Sequence, residues 1–159
     1  MARGTTIIGL TKLDRKLKRL PKVAKELIRQ KMAEAANQVV SMMKSLVPVL
    51  QEPDRRRQAG ALRDSIGWTW GQPPRGSMVI ATLRGAGVGG DLTITIYAGS
   101  RDKSQGSADA FYARWVEFGT SKMKAQPYFY VSWRANRRNV RRKITTAVRA
   151  AAKQVAAGG

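Results

Sequence analysis

Hydrophobic positions recur along the chain first with a helical period, then with a period of two, then with a helical period again. Leu10, Leu13, Leu17 and Leu20 stand three and four apart and predict a short helix within 1–20. Pro21 breaks that ladder and suits the first turn of a new helix, where its missing N–H costs nothing. Ala24, Ile28, Met32, Ala35, Val39, Met42 and Leu46 then form one apolar stripe, with Gln30, Asn37 and Lys44 opposite. This predicts a long helix over 21–47, ended by Pro48. Near the other end, Val140, Ile144, Ala147, Val148, Ala151 and Val155 make a second stripe, and the spacing predicts a helix over 136–156. At 100° per residue, Arg138, Arg142, Arg149 and Lys153 fall on its opposite face.

Between the helices the pattern alternates. Ile66, Trp68 and Trp70 share one face of Ser65–Trp70. Met78–Leu83 is apolar and β-branched, and Leu92, Ile94 and Ile96 alternate with Thr93, Thr95 and Tyr97. These runs, joined by "GQPPRGS" and "RGAGVGGD", predict an antiparallel meander over 65–99. The segment 48–64, with two prolines and Arg55-Arg56-Arg57, reads as a basic loop. Residues 100–135 read as a polar loop followed by an aromatic segment. The expected fold is a single α+β domain: an antiparallel sheet of three to four strands packed against a long N-terminal helix and a C-terminal helix.

Charge adds a partner to this picture. Among 159 residues, Lys and Arg outnumber Asp and Glu 30 to 10, a formal net charge of +20. Self-repulsion on that scale destabilises a compact monomer and attracts polyanions: nucleic acid, an acidic protein surface or an anionic membrane. The basic residues are spread through every segment, and no zinc-finger spacing, basic zipper or aromatic RNA-binding pattern accompanies them. A general electrostatic surface therefore fits better than a sequence-specific reader.

The residues present narrow the chemistry. Cysteine and histidine are absent, which removes disulfides, ordinary zinc sites and Ser-His or Cys-His catalysis. Asp91, Asp102, Asp109 and Glu117 are scattered, without the convergence that a two-metal site needs. The glycines of "RGAGVGGD" lie between two strands, where no helix N-terminus follows to hold a phosphate. No enzyme activity, metal or cofactor is expected. No stretch approaches the roughly 20 apolar residues of a membrane span, and the N-terminus lacks an apolar signal-peptide core. A soluble protein with no membrane partner is expected.

Eight of the eleven aromatic residues fall between Phe111 and Trp133, within and around "YARWVEFGTSKMKAQPYFY". Aromatics interleaved with Lys122, Lys124 and Arg134 could stack nucleobases. A role in the core or in a subunit contact, where Tyr, Trp and Arg are enriched, is the favoured reading, and Trp115, Phe118 and Phe129 are assigned to it. Gly119 is expected in a turn that a Cβ would strain. Glu117 is the last acidic residue of the chain, and an arginine partner is expected for it, from the same chain or from a neighbouring subunit.

This stretch resembles the signature of tail-completion proteins of long-tailed bacteriophages, the minor tail protein Z-like neck proteins. The matching residues are Tyr112, Ala113, Val116, Glu117, Phe118, Gly119 and Thr120, followed by Ala125, Pro127 and Tyr128 in place of Phe. Upstream, Val47-Pro48-Val49 and then Gly60, Leu62, Ser65 and Ile66 resemble the same family's earlier element. "LQEPDRRRQA" is longer than the usual link, Ala59 stands for Thr, and Val131-Ser132 stands where Pro-Ala is common.

The resemblance implies a structural virion protein of the neck or proximal tail, made in the host cytoplasm and without catalysis. It implies a homo-oligomeric ring of six, or alternatively twelve, between head-connector and tail-terminator or tail-tube proteins, with DNA in the lumen. A tail-terminator ring and a non-specific nucleic-acid-binding protein are the alternatives. The residues expected at subunit contacts or in the motif are Tyr112, Trp115, Glu117, Phe118, Gly119, Thr120, Pro127, Tyr128 and Phe129. Candidate contacts for DNA or an acidic partner are Arg55, Arg56, Arg57, Arg138, Arg142, Arg149 and Lys153.

Overall fold

The computed structural model describes residues 22–49, 59–84, 92–99 and 112–157. The elements are α1 (Lys22–Leu46), α2 (Ala61–Asp64), β1 (Gly67–Trp70), β2 (Met78–Arg84), β3 (Thr93–Ala98), α3 (Ala113–Phe118) and α4 (Phe129–Ala157). The predicted helix within 1–20, the arginines 55–57, the glycine-rich link 85–90 and the loop 100–111 lie outside the described residues.

The three strands form an antiparallel sheet, but not a meander: the order is β1-β3-β2, with β3 in the centre. Trp68 faces Ile96 and Trp70 faces Ile94 on one side of β3, while Ala81 faces Ile96 and Leu83 faces Ile94 on the other. Alternation sets which face is buried, and it does not set which strands are neighbours. The link after Trp70 lets β2 cross to the far edge, and Thr95 Oγ1 donates to Gly71 O at 2.6 Å where the link begins. That contact explains why Thr95 is 3% exposed on the polar side of the strand. A one-residue irregularity between Val79 and Ala81 keeps both ends of β2 in register.

Trp68, Trp70, Ile94, Ile96, Ala98 and Leu83 share the sheet face that packs on the helices. Trp68 Nε1–H donates to Asn37 Oδ1 on α1 at 2.7 Å. The Arg29 guanidinium lies over the Trp70 ring, 4.3 Å from its centroid. The helices α1 and α4 run antiparallel. Asn136 Nδ2–H donates to Met42 Sδ, and Lys143 Nζ–H donates to Gln38 Oε1 at 2.7 Å.

The buried stripe of α1 begins as predicted and then drifts. Met42 and Leu46 are 38% and 46% exposed, while Met43 and Val47 take their places in the core. Each step of four residues turns by about 40° at 3.6 residues per turn, so the buried line through Val39, Met43 and Val47, just past the helix end, swings away from the predicted Met42 and Leu46.

The helix α4 begins at Phe129 rather than at 136. Its first turns bury Phe129, Ser132 and Asn136. Two of these are polar, which hides the apolar period there. The Val155 side chain lies outside the described residues, while Val140, Ala147, Val148 and Ala151 are buried as the stripe predicts. Within the segment read as a basic loop, Gly60 takes a left-handed conformation (φ 80°) and starts α2. The Ser65 hydroxyl then donates to Leu62 O at 2.7 Å and accepts from the Gly99 N–H at 3.1 Å. This ties α2 to the end of β3, and is the structural work of Ser65 in the upstream motif.

Candidate subunit-contact site

The aromatic segment folds back on itself. Its first part is the short helix α3, which buries Ala113 and Glu117 and leaves Trp115 and Phe118 outside. Gly119 ends it with φ 75° and ψ 177°, a region open essentially to glycine alone. A Cβ there would stand 2.8 Å from both Ala125 N and Met123 O, so close approach and backbone conformation both require glycine. Thr120 N–H donates to Met123 O at 2.8 Å to close the next turn. Gln126 N–H donates to Val116 O at 2.8 Å and returns the chain to α3.

The return brings Glu117 to the N-terminus of α4. Its Oε2 accepts from the N–H groups of Tyr128 and Phe129, each at 2.9 Å, and its Oε1 accepts from Tyr130 N–H at 3.0 Å. The first N–H groups of a helix have no partner inside it, and they form the positive end of its dipole. A buried carboxylate across a ten-residue excursion satisfies three of them at once. Among the described residues this carboxylate meets main-chain donors rather than the arginine expected from the sequence. At 3% exposure, Glu117 is satisfied by main-chain donors.

The expected contact residues separate into two groups. Tyr128 and Phe129 are fully buried, so they are core rather than surface. The Tyr128 hydroxyl has no hydrogen-bond partner among the described residues. Burial pushes its ionisation well above the ordinary tyrosine value, and the nearby Glu117 carboxylate and Tyr112 add to that shift. Trp115 and Phe118 are 48% and 58% exposed. Phe118 leans on Tyr130 with ring centroids 5.7 Å apart. Thr120 and Pro127 are exposed at the turns, and Tyr112 is half-buried.

Beside Trp115 lies an apolar groove of about 250 Å³. Tyr112, Trp115, Val116 and Met123 line it from the aromatic segment, and Pro48, Val49, Gly60 and Leu62 line it from the upstream motif. The two motifs recognised separately in the sequence thus form one surface. Met123, also substantially exposed in the groove lining, was not legible as a site residue: it is a single apolar residue in a turn, without a period. Elsewhere, Arg138, Arg142, Arg149 and Lys153 are exposed on the outer face of α4, as the 100° spacing requires. Arg55, Arg56 and Arg57 lie outside the described residues.

Residues 11–119 match a family model described as "Bacteriophage HK97-gp10, putative tail-component". The chain belongs to the HK97-gp10-like family of bacteriophage tail components. Both motif elements up to Gly119 lie within the match, as do Glu117 and most of the groove lining, while the N–H groups that Glu117 caps lie beyond it. No curated protein and no solved structure matches the chain. A phage tail component is a virion protein, and no helix among the described residues is long and apolar enough to cross a membrane.

Proposed function

We propose that this tail component is a structural ring subunit of the phage head–tail junction, completing the proximal tail end and coupling it to the head connector. The ring has six copies, with twelve as the alternative, and DNA passes through its lumen. The observation that carries the reading is the exposure of Trp115, Phe118 and Met123 on a segment that is itself pinned. Gly119, the Gln126–Val116 hydrogen bond and the Glu117 cap hold these side chains in one geometry before any partner arrives. Large apolar groups presented rigidly beside a groove are what a heterologous, ring-closing contact needs. A tail-terminator ring would use the same surface against a different neighbour. A structural role of this kind calls for no catalytic group.

The test is the double variant Trp115→Ser, Phe118→Ser. Both side chains are largely outside the core, so helical circular dichroism should stay native. Light scattering after size exclusion should show rings for the wild type and monomers for the variant. A phage carrying the variant should make separate heads and tails that fail to join. Rings that persist in the variant would remove this surface from the contact, and normal joining would remove the junction role.

A further inference from the structure

We infer that the outward face of α4 binds the phosphates of duplex DNA. The helix carries eight basic residues over Phe129–Ala157 and no acidic one. Lys143 turns toward α1 and donates to Gln38. Six of the others, Arg134, Arg138, Arg141, Arg142, Arg149 and Lys153, are exposed. At 3.6 residues per turn they fall within an arc of about 120°, with Arg137 at its edge. At 1.5 Å per residue they extend over about 28 Å. The buried residues Phe129, Asn136, Val140, Ala147 and Ala151 occupy the opposite side, so packing holds the basic face outward.

Two observations favour DNA over an acidic protein. Between Arg134 and Lys153 the arc contains only Ala135, Thr145 and Ala152 besides the charges. Protein interfaces are anchored by large apolar or aromatic side chains in their centre, and this face has none. Small residues also leave the guanidinium groups free to fan out along a backbone. The charges are mostly arginine, whose planar fork matches phosphate oxygens in pairs. They are not neutralised within the fold: among the described residues none of the six pairs with a carboxylate, and Arg142 donates only to Asn139 Oδ1 at 3.1 Å. With no base-reading pattern, the binding is to backbone and independent of sequence.

The helix lies beyond the residues matched to the family, so this inference rests on the chain's own residues. It deepens the ring reading by naming the face turned to the lumen, and it rests on that reading only for the source of the DNA. The experiment is fluorescence anisotropy of a random-sequence 30-base-pair duplex, titrated with full-length protein at several salt concentrations from about 0.05 to 0.3 M. The variant Arg138→Gln, Arg142→Gln, Arg149→Gln is compared with a charge-matched control, Lys22→Gln, Lys44→Gln, Arg75→Gln.

Losing three phosphate contacts should reduce the slope of log affinity against log salt by about 2.7, and affinity at low salt by tenfold or more. The control should keep the wild-type slope. Equal shifts in both variants, or none in the α4 variant, would overturn the inference. So would tighter binding to polyglutamate of equal charge than to the duplex, lost in the α4 variant, because that would assign the face to an acidic protein. Light scattering on the same samples separates the two readings. Rings whose DNA affinity ignores α4 sink this inference alone. Monomers that show the expected slope change sink the ring reading alone.

Discussion

Replacing Glu117 by Gln keeps the size of the side chain and removes its charge. The amide has one oxygen, which can accept from two N–H groups. The third donor among Tyr128, Phe129 and Tyr130 would then face an NH₂ group. A buried donor left without a partner costs about 1–3 kcal/mol, and two remaining hydrogen bonds that lose their ionic acceptor weaken by about 1 kcal/mol each. The Gln variant should therefore lose about 3–5 kcal/mol, and Glu117→Ala, which leaves all three donors unpaired, roughly 3–9 kcal/mol. Against a typical total of about 5–15 kcal/mol, the Ala variant stands near the threshold of folding and the Gln variant well below the wild type.

Urea unfolding followed by circular dichroism measures both. Hydrogen exchange at Tyr128, Phe129 and Tyr130 reports the cap itself. Salt discriminates the mechanisms. A cap that is 3% exposed is little screened, so the loss should change by less than about 0.5 kcal/mol between 0.05 and 0.5 M salt. An exposed pair with an arginine would be worth only about 0–1 kcal/mol and would fade over that range. A Gln variant within about 0.5 kcal/mol of wild type, or a loss that disappears in salt, would refute the capping argument.

Gly119→Ala should lower the melting temperature by about 6–12 °C, from roughly 3 kcal/mol of backbone strain and collision with Met123 O and Ala125 N. A fall under about 2 °C by calorimetry would mean that the turn adapts freely. Tyr128→Phe removes a buried hydroxyl that has no partner among the described residues, so stability at pH 7 should be unchanged or higher by about 1 kcal/mol. In the wild type the folded phenol is held protonated while the unfolded one ionises near its ordinary value of about 10. The stability linked to this group is present below that pH and lost above it, so the variant's advantage should grow by about 1 kcal/mol between pH 9 and 11 in paired urea titrations. An advantage that stays constant over that interval would show that the hydroxyl is not protected.

Glu117 shows where sequence reasoning stops. A lone acid in a basic chain called for a positive partner, and the partner proved to be the positive end of a helix. That helix start was itself concealed, because Ser132 and Asn136 interrupt the apolar period of α4. The sheet shows the same boundary. Alternating residues in β3 marked its buried face, yet nothing in the alternation distinguished the β1-β3-β2 order from a meander.

By itself, then, the sequence determined the three strands and the two long helices, the buried faces of those helices over most of their length, the basic outer face of α4, and the need for glycine at 119, but not the short helices α2 and α3. All of these follow from local periodicity or from the conformational limits of one residue. The tertiary structure alone decided which strands are neighbours, that Met43 and Val47 replace Met42 and Leu46 in the core, and that two motifs distant in sequence share one groove. It also sorted the aromatics, sending Tyr128 and Phe129 inward and leaving Trp115 and Phe118 outside. Those outcomes depend on contacts between segments far apart in the chain, and no local pattern records which distant residue will satisfy a buried donor or cover an apolar ring.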